Sequence, residues 1–141
     1  MSDRLIIPSE LIQRMCTHVE GFIPEEACGI LGGNGDLVKC VIPVTNELHS
    51  PIKFRMAPEE QFKAFLWLEQ NALEMLGYYH SHPAGPANPS KTDLLQFYYP
   101  GVILVLLSPQ NSTWQIKGFI ISKNVIKEVN IENSISTKPY D

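Results

Sequence analysis

Leu76-Gly77-Tyr78-Tyr79-His80-Ser81-His82-Pro83 reads as a strand running straight into a histidine pair. Side chains alternate along a strand, so His80 and His82 share one face while Ser81 points to the other. The following stretch, Pro83-Ala84-Gly85-Pro86-Ala87-Asn88-Pro89, is too rich in Pro and Gly for regular structure. Ser90 then caps a short helix expected to reach about Tyr99, with Asp93 on its first turn.

Working outward, the N-terminal side predicts a helix opened by Pro8-Ser9-Glu10, with Ser9 as N-cap and Leu11, Ile12, Met15 and Val19 at helical spacing. Gly21 ends it. Ala27 to Gly32 and Leu37 to Thr45 flank Asn34-Gly35, a hairpin turn dipeptide. A short strand is expected from Ile52 to Met56. Ala57-Pro58-Glu59-Glu60 then opens a second helix whose buried face is marked by Phe62, Phe65, Leu66 and Leu73. On the C-terminal side, Val102 to Leu107 is a continuous apolar run, as a buried central strand requires. Trp114 to Ile121 and Val125 to Ile131 alternate as outer strands, and the polar tail from about Asn133 reads as loose. Strands that neighbour one another are thus mixed with helices. The expected architecture is α/β, a mixed β-sheet sandwiched by helices, in a single domain covering residues 1–141.

Composition removes several function classes. The 141 residues are 44% hydrophobic and 18% charged, which suits one globular unit rather than a disordered chain. A net charge of −4 without any Lys/Arg cluster argues against a nucleic-acid surface, since neutralising phosphates takes concentrated positive charge. No cationic segment leads into an apolar stretch at the N-terminus, and the longest apolar run, Gly101 to Leu107, is far short of a membrane span. Cys16, Cys28 and Cys40 are odd in number and widely spaced, which fits a reducing cytoplasm and neither a disulfide framework nor a thiolate zinc site. Neither GxGxxG nor GxxxxGK[ST] occurs, so a nucleotide fold is not expected.

The chemistry concentrates between His80 and Asp93. Two neutral imidazoles and a carboxylate suit zinc with a water as fourth ligand, provided the 83–89 loop folds Asp93 back beside the histidines. Each half also has a plain structural explanation. A His-x-His pair near a loop can simply face solvent, and Ser90-x-x-Asp93 is a capping-box-like start. A metal hydrolase further needs a proton shuttle, for which Glu25 and Glu26 precede the strand Ala27-Cys28-Gly29-Ile30-Leu31. Two acids after a proline also fit a solvated turn.

Glu26-Ala27-Cys28-Gly29, His80-Ser81-His82-Pro83 and Pro89-Ser90-Lys91-Thr92-Asp93 together resemble the JAMM motif of the MPN-plus metalloproteases, including the gap filled by residues 83–89. The resemblance runs from about Leu5 to Ile131 and implies the MPN, cytidine-deaminase-like, fold. It implies one zinc per chain held by His80, His82 and Asp93, Glu26 as general base and later general acid, and Ser90 as donor to the developing oxyanion. Glu25 stands one position off the pattern. The resemblance also implies cleavage after the C-terminal Gly-Gly of a ubiquitin-like β-grasp or sulfur-carrier protein, by a small standalone member of prokaryotic type, with a tail that could pair along a sheet edge. No acyl-enzyme is implied, so the cysteines are not nucleophiles.

Three other readings stand beside this one, among them a metal-independent binding domain whose histidines are incidental. A non-catalytic MPN scaffold would use the same fold for protein–protein contact, although such members usually lack the ligands. A zinc nucleobase deaminase would need H-x-E and P-C-x-x-C, and neither occurs. Trp67, Phe62 and Phe65 fit either core or an oligomer contact such as a homodimer. Tyr78, Tyr79, Tyr98 and Tyr99 could line a substrate groove or pack in the sheet.

Overall fold

The computed structural model describes residues 4–95, 101–122 and 125–134. These described residues form seven strands and three helices in the order β1 (Arg4–Pro8), α1 (Ser9–Glu20), β2 (Cys28–Asn34), β3 (Leu37–Val44), α2 (Pro58–Gln70), β4 (Glu74–Ser81), α3 (Lys91–Leu95), β5 (Ile103–Gln110), β6 (Thr113–Ser122) and β7 (Val125–Ser134). All seven strands belong to one mixed sheet, β1-β3-β2-β4-β5-β6-β7, which closes on itself because β7 also runs parallel to β1. The β2–β3 hairpin turns at Gly35, whose φ of +63° is a conformation that glycine adopts without steric cost.

The sheet separates two cores by strand alternation. Leu31, Tyr79, Val105 and Leu107 face α1, where Leu11, Met15 and Val19 are buried at helical spacing. Cys28, Ile30, Tyr78, Leu104 and Leu106 face the opposite side, where α2 contributes Ala64 and Leu68. The sheet is therefore covered by a helix on each face, as the α/β reading requires. Central strands β4 and β5 are buried on both sides, which explains the unbroken apolar run in β5.

Several local expectations need correction. The segment Arg4–Pro8 is a strand, and closing the sheet depends on its parallel pairing with β7. Ser9 is not the N-cap of α1. Pro8 occupies that position, and the Ser9 hydroxyl instead meets Asn133 Oδ1 and the Ser134 carbonyl, across to β7. Asn133 is consequently strand rather than loose tail. Residues 52–56 form no strand and contribute only the isolated bridge Asn46–Met56. The face of α2 is rotated from the expected one, since Ala64 and Leu68 are buried while Phe62 and Leu66 are exposed and Phe65 and Leu73 are half-buried against the core. Apolar residues surround that helix, so periodicity cannot select a face; the small Ala64 permits close approach to the sheet. The short helix is seen over Lys91–Leu95, and the rest of the expected span to Tyr99 lies outside the described residues.

Candidate metal centre

Strand pairing brings the site together. β2 and β4 run antiparallel with Cys28 opposite His80. Continuing that register by two residues sets Glu26 across from His82, on the same face as His80. The backbone of His82 is held on the neighbouring strand by its N–H to the Leu107 carbonyl at 2.9 Å. Asp93 arrives from α3, and its side chain is fixed by Ser90 in a reciprocal pair. The Ser90 N–H donates to Asp93 Oδ2 at 2.8 Å, and the Asp93 N–H donates to Ser90 Oγ at 3.0 Å. The capping-box role and the orientation of Asp93 are thus one feature.

Glu26, His80, His82 and Asp93 form a buried group whose ligand-type atoms all lie within 4.8 Å of one another. The closest three make a near-equilateral triangle. His80 Nε2 to His82 Nε2 is 3.2 Å, and each nitrogen lies 3.1 Å from Asp93 Oδ2. Tetrahedral zinc with bonds of about 2.0–2.1 Å separates its ligand atoms by about 3.3–3.4 Å, so the triangle matches that edge closely.

Proton bookkeeping makes the same point. His82 Nδ1 is 2.8 Å from the Pro86 carbonyl, which can only accept, so this nitrogen carries the proton. In the neutral ring, Nε2 then presents a bare lone pair to a carboxylate oxygen at 3.1 Å. Only a cation between them, a proton or a metal ion, makes that contact favourable. A ligating histidine whose other nitrogen donates to a carbonyl is the usual arrangement in metal sites. Among the described residues, His80 Nδ1 and Glu26 Oε1 are buried without a hydrogen-bond partner.

The electrostatics follow from burial and proximity. Burial pushes the Glu26 carboxyl up to about 8, with His82 opposing and Asp93 reinforcing that rise. Burial pushes His80 down. For His82 burial acts downward, but the Asp93 carboxylate, the Pro86 carbonyl and Glu26 together raise it. Asp93 is held well below the usual carboxylate range: burial opposes this, and contact with both imidazoles and the Ser90 N–H outweighs it. Glu26 is therefore held in its protonated form to higher pH than an ordinary carboxyl.

Other titratable residues separate from the site. Glu25 is half-exposed and faces His49 at 3.2 Å. His18 contacts the Tyr79 hydroxyl at 2.7 Å, within the α1 core. Tyr78 and Tyr79 are core residues rather than groove walls, and Tyr98 and Tyr99 lie outside the described residues. Burial drives the Cys28 thiol up to about 12, so it is inert as a nucleophile.

Three residues to which the sequence assigned no role in the site shape the centre. Ser81 is fully buried, and its hydroxyl accepts the Ala27 N–H at 2.9 Å, locking the entry to β2 onto β4. A serine alternating to the inner face of a buried strand must find such a partner, and that was the available signal. Phe54 stacks on His80 with centroids 4.5 Å apart and rings 28° from parallel. Asn46 is buried and bonded to the Glu26 carbonyl. Neither of these two has any sequence signal, because both act across the loop between β3 and α2.

Comparison with known proteins agrees with the geometry. Residues 8–117 match the family described as prokaryotic homologs of the JAB domain. A desampylase of Pyrococcus furiosus is 39% identical over 90% of this chain and 89% of its own length. A CysO-cysteine peptidase of Mycobacterium tuberculosis is 35% identical over 76% of this chain and 75% of its own. The crystal structure of AF2198, a JAB1/MPN domain protein from Archaeoglobus fulgidus, superimposes with a TM-score of 0.62 over 94% of this chain and 100% of that one. At 19% identity that likeness shows the fold, which is the JAB1/MPN fold.

Proposed function

Because the chain belongs to the prokaryotic homologs of the JAB domain and is a peptidase of the JAMM metalloprotease-like kind, we propose that it cleaves after the C-terminal Gly-Gly of a ubiquitin-like or sulfur-carrier protein. One zinc ion per chain would be held by His80 Nε2, His82 Nε2 and Asp93 Oδ2. The observation that carries this reading is the triangle of those atoms, with an unprotonated His82 nitrogen facing a carboxylate. When bound, zinc supplies a Lewis acid that polarises the scissile carbonyl and lowers the pKa of a water to roughly 7.

The chain's own residues do the rest. Glu26 Oε2, 3.8 Å from His82 Nε2, takes the proton from the attacking water and returns it to the departing amine. Its other oxygen, Oε1, has no hydrogen-bond partner among the described residues. The Ser90 hydroxyl oxygen accepts from the Asp93 N–H and keeps its own proton to donate to the carbonyl oxygen as charge develops there. The Pro86 carbonyl fixes the tautomer of His82, and Ser81 holds the main chain beside Glu26. The four clustered side chains are all almost completely buried. An extended tail without side chains, such as Gly-Gly, suits so recessed a centre. None of the described helices is long and apolar enough to cross a membrane.

The test joins metal content to turnover. Elemental analysis is expected to find about one zinc per chain, lost in His80→Ala/His82→Ala. The zinc protein is then expected to release a reporter fused behind a Gly-Gly-ended ubiquitin-like protein, and Glu26→Gln to abolish release. Wild type that cannot be loaded with zinc, or a Glu26→Gln variant of full activity, would refute the proposal and favour a non-catalytic scaffold.

A further inference from the structure

We infer that Asn46, outside the metal cluster, is the positioning residue for the Glu26 carboxyl, tying the Glu26 backbone to the loop that stacks Phe54 on His80. The inference rests on the reading of Glu26 as the group that moves the proton. Asn46 follows β3 and is buried, and its amide uses its whole bonding capacity. Nδ2 donates to the Glu26 carbonyl at 3.0 Å and to the Lys53 carbonyl at 3.1 Å. Oδ1 accepts from the N–H groups of Leu48 and Arg55, both at 3.1 Å.

One side chain thus fastens the outgoing arm of the loop, its returning arm and the residue carrying the proposed base. The same loop grips Glu26 from its other end, since the Glu26 N–H donates to the Ser50 carbonyl at 2.8 Å. Between these anchors, the returning arm lays Phe54 on the His80 ring. The carboxyl itself has no comparable hold. Among the described residues Oε1 has no hydrogen-bond partner, and Oε2 lies 3.8 Å from His82 Nε2. Where the carboxyl sits is therefore decided by its backbone, and a displacement of about 1 Å in such a group can cost about 100-fold in rate.

Two variants separate positioning from mere loop integrity. Asn46→Ala removes all four bonds. Asn46→Asp is nearly isosteric and keeps the two accepted bonds to Leu48 and Arg55, but it has no N–H for the Glu26 and Lys53 carbonyls. Each is compared with wild type for zinc content, kcat and KM on the Gly-Gly fusion, and amide hydrogen exchange. For Asn46→Asp the expected result is about 10- to 100-fold lower kcat with KM and zinc content unchanged. The Glu26 amide should exchange at least about tenfold faster, while Leu48 and Arg55 stay protected. Asn46→Ala should lose protection at all three amides; if it does not fold, Asn46→Asp alone decides. Asn46→Asp with kcat within about twofold of wild type, or with Glu26 exchange unchanged, would overturn the inference. If wild type itself leaves the fusion uncut, the peptidase reading fails, and exchange at Glu26 still decides whether Asn46 holds that residue.

Discussion

Replacing Glu26 by Gln should change how the stability of the metal-free protein depends on pH. Glu26 is 2% exposed, and burial raises its carboxyl from the ordinary 4.5 to about 8. A folded-state pKa above the unfolded value means that the folded protein binds the proton more tightly. The group therefore adds no penalty below about pH 4.5, and stability falls as pH rises towards 8 because only the unfolded chain has released its proton. At about 1.4 kcal/mol per pH unit, the interval from pH 5 to 8 amounts to at most about 4 kcal/mol. Glutamine cannot titrate, so the variant should lack that slope. Titrations independent of Glu26 cancel in the difference, while His82, raised in part by the Glu26 carboxylate, adds a smaller change of its own. Urea unfolding in chelator at pH 5, 6, 7 and 8 measures it. The stability of Glu26→Gln relative to wild type should climb by a few kcal/mol across that range and level off above about pH 8. A difference that stays flat within about 1 kcal/mol would mean that Glu26 is charged at no cost, and the assignment of a proton-exchanging carboxyl would fall with it.

Three further outcomes are expected. Gly29→Ala should destabilise the protein by about 1–3 kcal/mol, read as a lower melting temperature, because a Cβ there overlaps the buried Tyr79 ring. Ser81→Ala leaves the Ala27 N–H buried without its acceptor, which should cost about 1–3 kcal/mol in chemical denaturation and lower turnover more than zinc content. Cys28→Ala should retain turnover, and wild-type Cys28 should resist iodoacetamide at pH 8, since burial holds its thiol up to about 12; rapid alkylation there would contradict its burial.

The elements that could be read from the chain are those whose signal is local. The β2–β3 hairpin has a turn dipeptide, β5 has an unbroken apolar run, and α1 has one clean stripe. Where the signal was degenerate, the reading failed. Helix α2 carries apolar residues all round, so the burial of Ala64 and Leu68 over Phe62 and Leu66 was set by the sheet beneath it. Strand β1 is too short to announce itself, and its pairing partner β7 lies more than a hundred residues away. The 52–56 segment has extended-looking residues, but the Lys53 carbonyl and the Arg55 N–H are taken by the Asn46 side chain instead of a neighbouring strand.

The sequence by itself determined the chemical inventory: which imidazoles, carboxylates and hydroxyl are present, and, through strand alternation, that His80 and His82 share a face. Spacing alone left open whether Asp93 returns to them and whether Glu25 or Glu26 joins. Tertiary structure decided both. The antiparallel register of β2 against β4 sets Glu26 across from His82, and the capping pair at Ser90 turns Asp93 Oδ2 to within 3.1 Å of both nitrogens. The physical reason is that ligand geometry is a property of distances between strands and loops. Local propensity fixes which side a residue faces, whereas the partner it meets there depends on pairing between segments far apart in the chain.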